Sequence, residues 1–139
     1  MHRFVTIATT ALLMLAGVDP VPGAEGPWSG RTVLVTGANR GLGLEFARQL
    51  SAAGATVIGT ARSPQEATEL AALGARVEQL DVTDPNSVAA LADRLAGTPL
   101  DALLNNAGWF GDRGGFEDFD PEVARREYDV KCLGPLRVT

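Results

Sequence analysis

Residues 36–43 read TGANRGLG, and this glycine-rich stretch decides the fold of the chain. It follows the β-branched run 31–36, which predicts a buried strand, and it leads into residues 42–53, whose apolar spacing predicts a helix. The free amide groups and the dipole of a helix N-terminus favour negative charge, so a glycine turn in this position is suited to phosphate. The stretch therefore predicts the opening of a βαβ unit that binds a dinucleotide.

Each glycine of the turn has a steric reason. Gly37 lets the chain turn sharply off the strand, Gly41 lets the backbone approach a pyrophosphate, and Gly43 lets the helix pack closely. The turn contributes three further candidate cofactor-binding residues: Asn39, Arg40 and Leu42. The alternative is a glycine-rich turn that binds no ligand.

Short apolar runs alternate with helical patterns along the rest of the chain. Strands are predicted over residues 31–36, 55–60, 76–80 and 101–105, and helices over residues 42–53, 64–73, 85–95 and from 120 onward. This alternation predicts an α/β fold, a Rossmann-type doubly wound parallel sheet that is truncated, with strand order 3-2-1-4.

Several local features refine these helices. Ser63 and Glu66 predict a capping box for the second helix. The first helix is expected to bury Leu42, Phe46, Leu50 and Ala53, and the third to bury Val88, Leu91, Ala92 and Leu95.

Composition excludes several functional classes. The chain has 139 residues, 45% of them hydrophobic, and a net charge of −5 with scattered arginines, so a folded domain is expected and nucleic-acid binding is disfavoured. The single cysteine, Cys132, excludes an intrachain disulfide and a C-x-x-C site, and is expected in the core. The single histidine, His2, lies in the N-terminal tail, so no zinc or other metal site is predicted.

The N-terminal segment resembles a targeting sequence. Residues 1–23 combine a weakly basic start, an apolar run and small residues, which predicts a signal peptide and export to the periplasm or beyond. The alternative is a start at Met14 and a cytoplasmic protein. Under both interpretations residues 1–30 are a signal-like segment and linker outside the fold.

A second motif, Asn105-Asn106-Ala107-Gly108, follows the fourth predicted strand. With the TGxxxGxG pattern after the first strand, it makes residues 31–139 similar to the N-terminal half of the short-chain dehydrogenase/reductase family, in its carbonyl-reductase or C-factor-like branch. The resemblance implies an oxidoreductase that transfers a hydride between NADP(H) and a carbonyl or alcohol substrate. It also implies a possible homo-oligomer that forms through the last helix.

The resemblance assigns further cofactor contacts. Asp81 and Val82 would meet the adenine, and Asn105, Ala107 and Gly108 would line the ribose and nicotinamide side. For Asp81 the alternative is a cap of its own loop.

The choice between NADP and NAD depends on the end of the second strand. NAD sites place an acidic residue there, whereas residues 59–62 contain none and end in Arg62. Arg62 and Arg40 could both pair with a 2′-phosphate, so NADP(H) is predicted and NAD(H) is the alternative. Otherwise both are solvated surface arginines.

The sequence has no catalytic Tyr-x-x-x-Lys. Its only tyrosine and only lysine, Tyr128 and Lys131, are three residues apart, Tyr128 is expected to be a packing residue, and no serine follows Ser87. Lys131 takes the position of a family asparagine that supports a proton relay. The half-domain is thus interpreted as a fragment, and the alternatives are an inactive dinucleotide-binding module or a truncated gene product.

Three structural expectations concern the C-terminal part. The fourth strand would be an open edge, and Pro135 would cost its helix about 3 kcal/mol unless a kink accommodates it. Trp109 and Phe110 could form an apolar wall of a substrate pocket, or a surface loop with one buried aromatic residue.

Overall fold

A computed structural model describes residues 5–6, 26–111, 117 and 120–139 of the chain. The predicted signal peptide, apart from residues 5 and 6, lies outside the described residues, and so does most of the loop between Gly111 and Asp120. In the described part, no helix has both the length and the apolar character needed to cross a membrane.

The described strands form one sheet in which every pairing is parallel. The strands are β1 (Val5–Thr6), β2 (Thr32–Val35), β3 (Thr56–Ala61), β4 (Arg76–Gln79) and β5 (Ala102–Leu104). Their spatial order is β1-β5-β2-β3-β4. The four strands predicted from the sequence therefore lie in the predicted order 3-2-1-4.

Strand β1 was not expected, because the sequence placed residues 1–30 outside the fold. Val5 and Thr6 pair with Ala102 and Leu103, so the edge of β5 that was predicted to be open carries a short parallel strand. An edge strand presents unpaired backbone groups to any extended segment that reaches it. Trp28 also packs against the core and donates its amide to the Ala53 carbonyl oxygen at 3.3 Å, so the linker too contributes to the fold.

The helices are α1 (Gly41–Ala52), α2 (Thr68–Ala72), α3 (Pro85–Arg94), α4 (Pro121–Tyr128) and α5 (Gly134–Val138). A 3-10 turn, Pro64–Glu66, precedes α2, and a π turn, Asp129–Leu133, connects α4 to α5. Asp84 and Asp120 cap α3 and α4, because each carboxylate accepts the amide hydrogen of the residue two positions later.

Two apolar clusters cover the two faces of the sheet. Val33 and Val35 belong to the cluster that contains α1, whereas Leu34 belongs to the cluster with Leu91 of α3 and Val130 of the π turn. This division follows from strand geometry, since successive side chains point to opposite faces. Helices on both faces bury the sheet, as a doubly wound fold requires.

The buried helix faces differ from the predicted ones at single positions. Leu42 is 65% exposed, and α1 instead buries Gly43, Leu44, Phe46, Ala47 and Leu50. In α3, Ala92 is exposed. Ser87 is buried instead, and its hydroxyl accepts the Asp81 amide at 2.9 Å.

The predicted second helix is broken. Ser63 makes no side-chain cap bond within the described residues; its carbonyl oxygen instead accepts the Glu66 amide at 3.1 Å and closes the 3-10 turn. Ala67, which is 1% exposed, separates this turn from α2 because its backbone leaves the helical region. The capping-box prediction was therefore wrong.

The last helix also differs from expectation. Tyr128 is 58% exposed and Cys132 is exposed, so Tyr128 is not the packing residue, and Cys132 not the core residue, that the sequence predicted. Pro135 lies in the first turn of α5, directly after the π turn, where the backbone already departs from α-helical hydrogen bonding. The π turn thus accommodates Pro135 within the last helical segment.

Candidate cofactor-binding site

The glycine turn begins where β2 ends, at the carboxyl edge of the sheet. Gly37 and Gly41 have φ angles of +65° and +56°, which favour glycine. A side chain on Gly37 would meet Ala107 Cα at 2.8 Å, and one on Gly43 would meet the Gly37 carbonyl oxygen at 2.2 Å. Among the described residues, apart from the chain neighbours and helix backbone of Gly41, no atom lies within 4 Å of the position that a side chain on Gly41 would take, so the backbone there borders open space.

Helix α1 begins at this open space without a cap. Arg40 is its N-cap residue, but within the described residues no side chain caps α1 and no acidic residue lies in its first turn. The amide groups of Leu42 and Gly43 therefore depend on another acceptor, and an anion such as a phosphate suits them. The first turn of α1 thus fits the pyrophosphate of a dinucleotide.

Partly buried hydrogen bonds join the glycine turn to the second motif. The Thr36 hydroxyl oxygen accepts the amides of Asn106 and Ala107, each at 3.0 Å. The Asn106 side-chain amide donates to the carbonyl oxygens of Thr36 and Gly37, each at 3.0 Å. The Gly37 amide in turn donates to the Thr60 hydroxyl at 3.2 Å, which adds β3 to the network.

Sequence analysis missed these positioning residues, since it assigned roles to Asn105 and Ala107 but not to Asn106. Thr36 and Thr60 are each 1% exposed. A threonine at the end of an apolar strand is a weak signal, although the asparagine doublet pointed to a polar requirement at this edge.

The arginines predicted to hold a 2′-phosphate both lie on the surface near this edge. Arg40 and Arg62 are exposed, and Arg62 directly follows β3. Arg62 acts electrostatically on Asp81, which follows β4. The structure therefore brings Arg62 near the predicted adenine residue.

Asp81 has a local structural role. Burial raises the pKa of its carboxyl group, but hydrogen bonds from Thr83 and the charges of Arg62 and Arg126 outweigh burial and hold that pKa below its ordinary value. Its Oδ1 accepts the Thr83 hydroxyl at 2.7 Å and the Thr83 amide at 2.9 Å. The loop cap considered as the alternative therefore exists, and contact with adenine stays a prediction.

Val82 faces the core with its side chain. It is 7% exposed, a side chain on Gly134 would approach its Cγ2 to 2.9 Å, and its carbonyl oxygen accepts a bond from Arg137 at 3.2 Å. Its predicted contact with adenine stays a prediction.

The remaining predicted residues follow β5. The Asn105 side-chain amide donates to the Thr139 hydroxyl at 3.3 Å, Ala107 packs against the second cluster, and Gly108 is exposed. Because the carboxyl ends of parallel strands share one edge, these residues lie on the same side of the sheet as the glycine turn. Asn39 lies within that turn and is half-buried.

Two aromatic residues extend this edge beyond Gly108. Trp109 is half-buried against the second cluster, and the Arg126 guanidinium carbon lies 4.5 Å from its ring centroid. Phe110 is 67% exposed, and the Lys131 ammonium nitrogen lies 3.5 Å from its ring centroid. Phe110 is thus the more accessible of the two aromatic side chains.

Comparison with known proteins identifies the family. The sequence model of the short chain dehydrogenase family matches residues 31–139. The chain belongs to the short-chain dehydrogenase family. This confirms the resemblance drawn from the glycine turn and from residues 105–108.

Individual relatives agree with this assignment. The chain is 41% identical over 111 residues to 1-hydroxy-2-glutathionyl-2-methyl-3-butene dehydrogenase of Rhodococcus sp. (strain AD45), covering 76% of this chain and 47% of that protein. It is 38% identical over 120 residues to short-chain dehydrogenase/reductase 1 of Saponaria officinalis, covering 78% of this chain and 40% of that protein. The chain thus spans less than half the length of these relatives.

Solved structures of short-chain dehydrogenases share the fold. A short-chain dehydrogenase from Streptomyces avermitilis superposes with a TM-score of 0.72 at 36% sequence identity, covering 80% of this chain and 42% of that one.

Proposed function

We propose that this chain is the NADP(H)-binding half of a short-chain dehydrogenase/reductase that transfers a hydride between the nicotinamide and a carbonyl or alcohol carbon. The observation that carries the proposal is the uncapped first turn of α1 beside the open backbone of Gly41. Such a helix N-terminus supplies amide donors and a positive dipole to a pyrophosphate.

The preference for NADP(H) over NAD(H) is part of the proposal. Arg62 follows β3, and residues 59–62 include no carboxylate that would repel a 2′-phosphate. Arg40 lies at the start of α1 and is exposed, so it can approach the same phosphate from the glycine turn. Guanidinium groups bind phosphate in a planar, bidentate arrangement.

The chemistry divides between cofactor and protein. The bound nicotinamide supplies or accepts the hydride when the holoprotein turns over. The residues of this chain bind and orient the cofactor: Gly41 and Gly43 at the pyrophosphate, and Asn105, Ala107 and Gly108 at the ribose and nicotinamide end. We assign no general acid or base to Tyr128 or Lys131.

The second candidate is a dinucleotide-binding module without turnover. It is favoured by the spacing of Tyr128 and Lys131, which does not match Tyr-x-x-x-Lys. NADPH binding accompanied by carbonyl reduction would support the enzyme, whereas binding without turnover would support the module. Sequencing the gene beyond codon 139 distinguishes a truncated product from either.

The experiment for NADP(H) preference compares two arginine variants. Arg62→Gln is expected to raise the Kd for NADPH roughly 10- to 100-fold, the equivalent of one charge-assisted contact, and to leave the Kd for NADH unchanged. Arg48→Gln is the matched control, because Arg48 is an exposed arginine that pairs with Glu45 on α1. Fluorescence titration measures the affinity of each of the two variants for NADPH and for NADH. Equal losses for NADPH and NADH in Arg62→Gln would refute the assignment.

We further propose that the chain forms a homo-oligomer through its last helical segment. Tyr128, Cys132 and Leu136 are exposed and spaced four residues apart. Leu136 is 76% exposed, and exposed apolar residues that form one contiguous patch are typical of an interface. A second copy of the same face would cover this apolar stripe.

A further inference from the structure

The carboxylate of Glu127 joins α4 to the loop that follows Gly108. Its Oε2 accepts a bond from the Lys131 ammonium group at 2.8 Å, and its Oε1 accepts the backbone amide of Gly111 at 3.2 Å. The side chains of Lys131 and Glu127 are 29% and 22% exposed. A pair that is largely withdrawn from water is screened less than a surface pair, so its geometry is held more firmly.

The same ammonium group contacts the loop directly. Lys131 Nζ lies 3.5 Å from the centroid of the Phe110 ring, well inside the range of a cation–π contact. One lysine therefore binds both the carboxylate that holds Gly111 and the ring of the residue before it.

Two neighbouring contacts fix the loop on either side. A side chain on Gly111 would come within 2.2 Å of Val123 Cγ1 on α4, so the loop backbone lies directly against that helix. The Arg126 guanidinium carbon lies 4.5 Å from the Trp109 ring centroid. Trp109 and Gly111 thus contact α4, and Phe110 contacts Lys131 in the π turn that follows α4.

The backbone around Lys131 is irregular. Lys131 is the middle residue of the π turn Asp129–Leu133, and π turns occur frequently at functional sites. The Lys131 ammonium group is held by the Glu127 carboxylate and by the Phe110 ring, so its charge links the π turn to the loop.

We propose that Lys131 is a positioning residue: paired with Glu127, it holds segment 109–111 so that Phe110 forms an apolar wall beside the nicotinamide end of the cofactor site. The assignment of Phe110 to a substrate wall rests on the proposed function, whereas the contacts of Lys131 with Glu127 and Phe110 do not. An apolar wall next to Gly108 suits a carbonyl substrate that carries an aromatic or aliphatic group.

The first experiment tests the hold on the loop without cofactor. The parent protein is Trp28→Phe, which leaves Trp109 as the single tryptophan. Lys131→Met is expected to raise hydrogen exchange at the Gly111 amide about tenfold and to increase acrylamide quenching of Trp109. Lys131→Arg keeps the charge and should restore both values to those of the parent.

The matched control is Arg125→Met, which removes a cation paired with Glu122 on the exposed face of α4. It is expected to leave Gly111 exchange and Trp109 quenching unchanged. The proposal is overturned if Lys131→Met behaves like Arg125→Met, or if Lys131→Arg exchanges as fast as Lys131→Met, since charge would then not hold the loop.

The second experiment tests the wall in the NADPH-loaded protein with acetophenone, an apolar carbonyl probe. The probe is expected to shift the Phe110 ring resonances in the parent and in Lys131→Arg but not in Lys131→Met. Equal shifts in Lys131→Met would overturn the role of Lys131 in the wall. A parent that does not bind NADPH would contradict the proposed function and leave the outcome of the exchange experiment intact.

Discussion

At the scale of single residues, Asn106 and Asn105 are adjacent in sequence but differ in what they hold. The Asn106 side chain bridges the carbonyl oxygens of Thr36 and Gly37, whereas in the described part of the chain the Asn105 side chain donates to the Thr139 hydroxyl. Replacing Asn106 with alanine leaves two carbonyl groups at the glycine turn without their donor. The geometry of the turn thus depends on a side chain that follows the neighbouring strand β5, 70 positions later in the sequence than Thr36.

We therefore predict that Asn106→Ala lowers the free energy of unfolding by about 2 kcal/mol, the cost of two lost hydrogen bonds in a half-buried site. Asn105→Ala is the control and should change it by less than about 0.5 kcal/mol, as for a surface substitution. Urea denaturation monitored by circular dichroism measures both. Equal losses in the two variants would show that the bridge made by Asn106 contributes nothing specific.

The role of the glycine turn could be predicted from its residues because the constraint is local. The positive φ angles of Gly37 and Gly41 and the tight contacts of Gly37 and Gly43 follow from spacing alone. The partnership of Thr36 with Asn106 could not be predicted, because it joins residues 70 positions apart. The exposure of Leu42 was also missed, since apolar spacing does not show where a helix begins to contact the core.

At the scale of elements, the edge strand β4 is joined to α3 by a carboxylate that is nearly buried. Glu78 is 9% exposed, and its two oxygens bond to Arg76 at 2.8 Å and to Arg94 at 2.6 Å. Burial raises the pKa of Glu78, but the bonds and charges of the two arginines outweigh burial and hold the pKa below its ordinary value of 4.5.

A lowered pKa in the folded state stabilises the protein above the unfolded-state pKa, and this stability is lost as pH falls through the folded-state value. Glu78→Gln is thus expected to reduce the free energy of unfolding by about 2 kcal/mol at pH 7. The difference from the parent should shrink below a pH of about 4.5. Glu122→Gln, at a side chain that is 80% exposed, is the control. A difference between Glu78→Gln and the parent that does not vary with pH would contradict the account.

Capping residues correctly marked the start of two helices, whereas the capping signal at Ser63 failed because its carbonyl oxygen closes a 3-10 turn instead. Asp84 and Asp120 cap α3 and α4 as their sequences indicate. The π turn Asp129–Leu133 gave no such signal, because one extra residue in a helical turn changes neither composition nor capping. Tyr128 was expected to be a packing residue and Cys132 a core residue, but both are exposed, next to and within this turn.

At the scale of the whole molecule, the strand order followed from the alternation of strands and helices together with the right-handedness of parallel crossovers. Strand β1 did not, because two residues carry no periodicity, and their pairing with Ala102 and Leu103 spans 97 positions. The sequence could therefore predict the central sheet but not what lies at its edge.

The proposed oligomer predicts a mass change that depends on one leucine. Leu136→Glu places a charge on the exposed stripe with Tyr128 and Cys132 and should shift the protein toward monomer in light scattering coupled to size exclusion. Leu42→Glu is the matched control, because Leu42 is also an exposed leucine, at 65%, but lies on α1. If both variants keep the mass of the parent, the last helical segment is not the interface.

The central claim is that the glycine turn binds NADP(H), and its most direct test is an NMR titration of the full chain with NADPH. The amides of Gly41 and Gly43 are expected to shift in a saturable way. Gly97 is the control, because it also has a positive φ angle but lies after α3, toward the amino edge of the sheet. Its amide should not shift. Saturable shifts at Gly41 and Gly43 without a shift at Gly97 would support the account. Their absence, or equal shifts at Gly97, would contradict it.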